Sequence, residues 1–273
     1  MRIKQLLFSA LLIIGRIVIA SPSSNDVVVL RRDTWSFSEE EMKTLNKCTA
    51  ESLEKTLLPI INDATGHVIE GRLMSFRVVD LNNDGIAEVL ACIDYSGRGV
   101  IRDVALLSRK SGQYYQRTIP AYGGTIKLVR KENQNLVVGS LPLFELTGAD
   151  PIQAFPMLYS WTGCECRDVS RENRAFYASQ YLPVLTNALY CFQGNNLIKG
   201  GEAQRRFMIE AINCGLAIEK LNSMFNGQLV LTNEVAKLNN LMKSFVGDGE
   251  ADAMILKKFI EVRGWVHRSS GER

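Results

Sequence analysis

The sequence predicts an α+β protein in which an antiparallel β-meander is flanked by an N-terminal helix and a C-terminal helical unit. Three observations favour this fold class. The apolar residues between about 68 and 169 follow the period of β-strands, and glycine-rich turns interrupt them. Helical spacing precedes this region after Ser38 and follows it after Ser170. We therefore predict four parts: a signal peptide (1–20), a lead-in with a helix (21–62), a β-rich domain (63–170) and a helical region (171–273).

The first twenty residues have the layout of a signal peptide. Arg2 and Lys4 form a short basic start, an apolar run follows, and Ala20 is a small residue suited to cleavage before Ser21. The apolar run is interrupted by Arg16 and is shorter than the ~20 residues of a membrane-spanning helix. The sequence thus predicts a periplasmic or secreted protein with no stable membrane span after cleavage.

Cleavage changes the charge balance of the chain. Loss of Arg2, Lys4 and Arg16 lowers the number of basic residues from 32 to 29, which equals the number of acidic residues. A neutral chain without a basic block gives no indication of binding to nucleic acid or to an anionic membrane.

Six cysteines are present, and in an exported chain an even number indicates disulfide bonds. Fifteen pairings are open. Cys164 and Cys166 are two residues apart, so in a strand they point to one face. Two separate bridges or two buried thiols therefore fit them better than a redox pair.

The N-terminal part predicts an extended lead-in over residues 21–35 and a helix over about 38–61. Ser38 and Glu41 have the spacing of a capping box, which places the helix start. Pro59 is expected to bend or end this helix.

Eight strands are predicted in the β-rich region, because short apolar or β-branched runs alternate with glycine turns. Phe155, Met157, Tyr159 and Trp161 alternate and are expected on one buried face. The strands are Arg72–Val79, Ala87–Asp94, Asp103–Ser108, Tyr114–Ile119, Thr125–Arg130, Asn135–Val138, Ala154–Trp161 and Glu165–Val169.

The C-terminal region predicts four helices. Ser170 is expected to cap the first, which stops near Pro183, and a second begins after Gly201. Two more are predicted beyond residues 232 and 249. An apolar seam on the second helix either packs against its sister helices or binds a partner helix, and its residues are Phe207, Ala211, Cys214, Ile218, Leu221 and Phe225.

The loop between the first two strands has the composition of a calcium site. Asp80, Asn82, Asp84 and Glu88 place side-chain oxygens at loop positions 1, 3, 5 and 9. Gly85 can adopt the positive φ that the turn needs, and Ile86 can offer its backbone carbonyl to the ion. Oxygen ligands of this kind suit Ca²⁺, and we expect the ion to be structural.

Of two other interpretations of this loop, the EF-hand does not fit the sequence and a hairpin turn without metal does. An EF-hand needs a glutamate at position 12, where this chain has Ala91, and it needs helices on both sides. A bare hairpin turn through 83–85 needs no metal and stays open as an alternative.

The stretch VVDLNNDGIAEVLA resembles the calcium loop of FG-GAP/VCBS repeats, which form the blades of integrin-type β-propellers. The segment YSWTGCECRDVSRENRAFY is similar to the strand-turn-strand-helix that often follows this loop in exported bacterial proteins. The resemblance covers about a third of the chain. It implies a blade-like meander with Asp80, Asn82, Asp84, Ile86 and Glu88 as calcium ligands. The loop occurs once, and eight strands make two blades where a closed propeller needs at least four, so flanking helices are expected to cover the sheets.

No motif for nucleophilic catalysis, zinc or phosphate binding is present, and the two histidines, His67 and His267, have no signature beside them. Two functions stay open. One is an exported non-enzymatic module that binds an envelope or extracellular protein or glycan. The other is a carboxylate-based hydrolase of envelope polymers, since two acids brought together by folding leave no motif.

Overall fold

The fold has four layers: N-terminal helices, a first sheet, a second sheet and C-terminal helices. It was obtained as a computed structural model. Side chains of 189–194 and 201–204 lie outside the description, as do the predicted signal peptide and the histidines. The structure describes residues 23–66, 70–95, 97, 101–144, 154–194, 201–229, 253–255 and 257–258.

Residues 21–35, predicted as an extended lead-in, contain a helix, α1 (Ser24–Leu30). The extended prediction was wrong because it overlooked a capping box. The hydroxyl of Ser23 accepts a hydrogen bond from the backbone N–H of Asp26, and the Asp26 carboxylate accepts one from the backbone N–H of Ser23. These bonds satisfy the backbone N–H groups of Ser23 and Asp26, which have no partner in a preceding turn of the helix. The helix is short, so it contains too few apolar residues for a helical period to show in the sequence.

The predicted helix over 38–61 is two helices, α2 (Glu39–Leu45) and α3 (Ala50–Thr65). The capping box of Ser38 and Glu41 is present as predicted. The break follows because Asn46 ends α2 and Thr49 caps α3. Pro59, which was predicted to bend or end the helix, does not end it, because α3 runs past it to Gly66 at φ 66°.

All eight predicted strands are present, with ends that differ by a few residues. They form two four-stranded antiparallel meanders, β1-β2-β3-β4 and β5-β6-β7-β8. The strands are β1 (Arg72–Val79), β2 (Glu88–Asp94), β3 (Asp103–Lys110), β4 (Gln113–Pro120), β5 (Lys127–Lys131), β6 (Gln134–Leu141), β7 (Phe155–Trp161) and β8 (Cys166–Asp168).

Three apolar clusters fill the interfaces between adjacent layers. Val89 and Ala91 of β2 pack toward α1–α3, whereas Leu90 and Cys92 pack toward the second sheet, so β2 is buried on both faces. The prediction that β7 is buried on one face only was wrong, because Leu158 and Ser160, which alternate with the predicted residues, are buried as well. Tyr159 and Trp161 belong to the cluster between the sheets, and Phe155 and Met157 pack with the C-terminal helices. A sheet covered on both sides does not divide its residues into buried and exposed sets.

The free edge of β1 is capped by side chains of the N-terminal helical region. The amide of Asn46 donates from Nδ2 to the carbonyl of Val78 at 2.7 Å and accepts from the N–H of Val78 at 2.8 Å. Glu54 accepts from the N–H of Leu73 at 2.9 Å. These bonds satisfy backbone groups that an edge strand otherwise leaves open to other chains.

The predicted helix after Ser170 begins with a 3₁₀ turn (Ser170–Glu172), a short helix, α4 (Arg174–Phe176), and a π-helical turn (Tyr177–Tyr181). Ser170 caps no helix; its hydroxyl instead accepts from the N–H of Leu158. The predicted stop near Pro183 was wrong, since α5 (Leu182–Gly194) continues through it. The wide π turn just before Pro183 accommodates a proline that offers no N–H.

The predicted seam lies on α6 (Gly201–Met224) and its C-terminal end. Its residues belong to the cluster that covers the second sheet, and all except the partly buried Phe207 are buried. This confirms packing within the molecule as the role of the seam. The third and fourth predicted helices fall almost wholly outside the described residues.

The fold class is therefore α+β, with helices on the outer faces of two antiparallel sheets. The sheets of the described part do not close into a propeller. Cys48, Cys92, Cys164, Cys166 and Cys214 are free thiols, and Cys191 lies outside the described side chains, so oxidation stays a prediction. Among the described helices, none is long and apolar enough to cross a membrane.

Candidate metal loop

The loop from Asp80 to Ala87 joins β1 to β2 at one end of the first sheet. Its turn is made by two residues in the left-handed region, Asn83 at φ 56° and Gly85 at φ 82°. A side chain at Gly85 would meet no atom within 4 Å, so glycine is needed there for its backbone conformation alone. The positive φ predicted for Gly85 is confirmed.

Hydrogen bonds bring Asp80, Asn82 and Asp84 together. Asp80 Oδ2 accepts from the N–H of Gly85, and Asp84 Oδ1 accepts from the N–H of Ile86, both at 2.9 Å. Asn82 donates from Nδ2 to Asp84 Oδ2 at 3.2 Å. The side chains predicted at positions 1, 3 and 5 thus lie in one hydrogen-bonded turn.

Glu88, predicted at position 9, has a different environment. It is the first residue of β2, it has no exposed surface, and it points between the sheets. Its Oε1 accepts from the indole of Trp161 at 2.8 Å and from the hydroxyl of Ser108 at 3.2 Å. Its Oε2 accepts from the N–H of Leu81 at 2.9 Å. Glu88 therefore joins the loop to both sheets.

Burial raises the pKa of Glu88 to about 8, and the charges of Asp84 and Asp80 add to the rise. The hydrogen bonds from Leu81 and Trp161 act in the opposite direction, because they favour the carboxylate. The loss of hydration is the larger effect. Trp161 and Ser108 gave no signal in the sequence as partners of this glutamate, since they are 73 and 20 residues away from it.

One oxygen atom of the loop is a candidate ligand for a cation. Asp80 Oδ1 is buried and accepts no hydrogen bond from the described part of the chain. A buried carboxylate oxygen without a partner is costly, and a bound cation would satisfy it. The carbonyl of Ile86 and the side chains of Asp80, Asn82 and Asp84 are the oxygen donors that Ca²⁺ prefers.

Glu88 fits the predicted ligand set less well. Both of its oxygens already accept hydrogen bonds, although a carboxylate oxygen can accept a second partner. Over the described residues, no three His, Cys, Asp or Glu side chains form a group that could hold a metal ion. The donor atoms of Asp80, Asn82, Asp84 and Ile86 are of the kind that Ca²⁺ takes, but calcium binding and the role of Glu88 as a ligand stay predictions.

Other parts of the molecule fix the loop from two sides. Toward the N-terminus, Ala87 donates its N–H to the carbonyl of Trp35 at 2.7 Å, and the Ser36 hydroxyl donates to the carbonyl of Gly85. From the second sheet, Asn135 donates its N–H to the carbonyl of Leu81 at 2.7 Å and its amide to the carbonyl of Asp80. The loop is thus a junction between the N-terminal segment and both sheets.

The turn between β7 and β8 also approaches the loop. A Cβ on Gly163 would lie 3.4 Å from Asp84 Oδ2 and 3.7 Å from the amide nitrogen of Asn82. Gly163 has φ 92°, which disfavours any other residue at this place. The exposed side of the loop therefore faces a second backbone turn at short range.

Comparison of the chain with protein-family models, with curated proteins and with solved structures finds no match in any of the three. The resemblance to FG-GAP/VCBS repeats thus rests on the residues of the loop and of the segment around β7 and β8, and it stays a prediction.

Proposed function

We propose that the protein is an exported, non-enzymatic binding module whose β1–β2 loop is held by one structural calcium ion. The observation that carries the proposal is the buried Asp80 Oδ1, which has no described protein partner and lies in a loop that joins both sheets. An ion at this junction would act on the arrangement of strands rather than on a substrate.

Asp80, Asn82, Asp84 and the carbonyl of Ile86 would hold the ion, with Glu88 as the predicted fifth ligand. When bound, calcium supplies positive charge that balances the loop carboxylates. Hydrogen bonds within the chain also hold the loop in its conformation. Asp80 and Asp84 hold the turn through the N–H groups of Gly85 and Ile86.

The environment of Glu88 favours binding over hydrolysis. A carboxylate hydrolase needs an acid with a raised pKa that reaches the substrate. Glu88 has a raised pKa, but it is fully buried and held by Trp161, Ser108 and Leu81. The hydrolase of envelope polymers is therefore the weaker alternative.

The test is a search for a partner in the envelope or the medium. Purified protein immobilised on beads is incubated with envelope extract, with calcium or with chelator, and the retained protein or glycan is then reconstituted with purified protein. We expect saturable binding without turnover, and Asp84→Asn should weaken the calcium dependence. Release of reducing sugars or peptides from envelope polymers would contradict the proposal and favour the hydrolase.

Export has a separate test. The n-region, apolar run and Ala20 predict that the exported protein begins at Ser21. Intact-mass measurement of protein recovered from periplasm or medium should give residues 21–273. A mass that includes Met1 to Ala20 would contradict both the cleavage and the predicted location.

A further inference from the structure

A groove of about 690 Å³ runs over β5 and the adjoining residues of β6 and β7, next to the C-terminal helices. Its volume lies within the range of known ligand sites. Five consecutive residues, 125–129, line it, so it includes the edge strand β5, and residues 138–140 of β6 and Pro156 of β7 also line it. Its other walls include Arg77 of β1, Tyr122, Phe176 and Tyr181.

The edge of β5 that does not face β6 has open backbone groups. β5 is the first strand of its sheet and pairs only with β6. A two-residue turn joins the strands after Lys131, so residues 127, 129 and 131 bond to β6, and residues 126, 128 and 130 point their N–H and C=O groups outward. In the described part of the chain, these outward groups have no backbone partner.

The contrast with β1 is informative. β1 is also an edge strand, but Asn46 caps the outward N–H and C=O of Val78, and Glu54 caps the N–H of Leu73. No described side chain caps β5 in this way, and a lined groove lies beside it instead. Edge lysines alone serve to discourage pairing with other chains, but they do not require a groove with aromatic walls.

The charged side chains that line the groove are all positive. Arg77 and Lys127 line it, and Arg130 follows directly beyond the lined part of β5. All three are exposed, and none forms an ion pair or hydrogen bond with another described residue. A ligand that adds to β5 would gain from acidic side chains that face these cations.

We infer that this groove binds an extended acidic peptide segment of a partner protein, which adds to β5 as a further strand. The backbone edge of β5 supplies directional hydrogen bonds, and Val129 and Val138 line the groove with apolar surface for alternate side chains. Arg77 and Lys127 select acidic residues. The inference rests on the proposed binding function and names its site and ligand class.

The probe is a fluorescein-labelled ten-residue peptide of alternating glutamate and valine, titrated with the full chain and followed by fluorescence anisotropy. Lys127→Glu and Arg77→Glu reverse the charge of exposed side chains, and Lys55→Glu, on the exposed face of α3, is the matched control. We expect saturable binding that each groove variant weakens about tenfold, or about 1.4 kcal/mol. The control should stay within about twofold, because it lies outside the groove.

Two further probes separate strand addition from charge attraction. The same peptide with an N-methyl group on every residue keeps its charge but cannot donate to β5, so it should not bind. An alternating lysine–valine peptide should not bind either. Equal binding of the N-methylated peptide, an equal effect of Lys55→Glu, or tighter binding of an acidic oligogalacturonate would overturn the inference.

The outcome separates the two proposals. Melting curves must show that each variant is folded, and the exposure of the three side chains favours this. If the acidic peptide does not bind but an envelope partner is still retained, the groove inference fails and the binding function stands. If neither binds, both fail.

Discussion

The indole N–H of Trp161 donates a 2.8 Å hydrogen bond to Oε1 of Glu88, and this bond joins the two sheets of the molecule. Glu88 begins β2 and Trp161 ends β7, and both are buried. The other oxygen of Glu88 holds the N–H of Leu81 in the candidate calcium loop. One carboxyl group therefore connects the loop, the first sheet and the second sheet.

Trp161→Phe should lower the free energy of unfolding by about 1–3 kcal/mol, because it removes one donor from a buried carboxyl group. Chemical denaturation of wild type and variant measures the loss. The packing part of the effect is separated in a Glu88→Met background, where no carboxyl group needs the donor. If Trp161→Phe costs the same in both backgrounds, the hydrogen bond contributes nothing.

The pKa of Glu88 predicts an inverse dependence of stability on pH. Its folded pKa of about 8 exceeds the ordinary value of ~4.3, so between these values the folded protein holds a proton that the unfolded chain has lost. In calcium-free buffer this contribution should be largest below about pH 4 and vanish as the pH rises through 8, at no more than about 1.4 kcal/mol per pH unit.

The measurement is urea denaturation between pH 5.5 and 8.5, with Glu88→Gln as the control that cannot titrate. The hydroxyl of Ser108 can accept a bond from the protonated acid, so the neutral form also has a partner. Identical pH slopes for wild type and Glu88→Gln would show that Glu88 does not titrate in this range.

Asn46→Ala should destabilise the protein by about 1–3 kcal/mol, because it leaves the N–H and C=O of Val78 without their partner. Asn46→Asp keeps the acceptor for the N–H of Val78 but loses the donor to its C=O. It should therefore destabilise the protein by no more than Asn46→Ala does. The variants should also aggregate faster near the melting temperature, since the edge of β1 opens. Unchanged denaturation and light scattering for Asn46→Ala would contradict the edge-capping role.

Ile218→Asp should prevent cooperative folding or lower stability by several kcal/mol, because Ile218 is buried in the cluster beneath α6. Glu219→Ala, one residue away on the exposed side, is the control and should change stability by no more than about 0.5 kcal/mol. Thermal melting followed by circular dichroism compares the two. An unchanged midpoint for Ile218→Asp would revive the partner-helix interpretation of the seam.

The strands could be predicted from the sequence because each is a short apolar or β-branched run that ends at a local turn. Gly112 and Gly85 mark such turns, and both adopt positive φ. The helical boundaries were predicted less well. Pro59 was expected to bend or end its helix and Pro183 to end one, yet α3 continues past Pro59, and Pro183 is the second residue of α5. Leu57, Ile60 and Ile61 are buried around Pro59, so packing outweighs the local cost of that proline, whereas a proline in the first turn of α5 costs little.

The candidate site could be predicted only as far as local contacts reach. The turn through Asp80, Asn82 and Asp84 was visible because its partners are within a few residues. The partners of Glu88, Trp161 and Ser108, became neighbours only through the pairing of strands and the stacking of sheets. The open edge of β5 likewise depends on strand order, which the sequence does not state.

The calcium response of thermal stability tests the central claim most directly. Protein stripped with chelator is melted without divalent ions, with millimolar calcium and with equal magnesium, and Asp84→Asn is measured in parallel. The amide oxygen that this substitution introduces still accepts from the N–H of Ile86, while one negative charge is removed. Extracellular sites of this ligand type bind calcium at ~10⁻⁴–10⁻³ M, which corresponds to a gain of about 1 kcal/mol at millimolar calcium.

We predict that calcium raises the melting temperature of the wild type by a few degrees and that magnesium substitutes poorly, since it demands a tighter octahedral shell. Asp84→Asn should melt as a folded protein with a reduced calcium response. A wild-type melting temperature that moves with neither calcium nor chelator would contradict the claim and leave a hairpin turn without a metal.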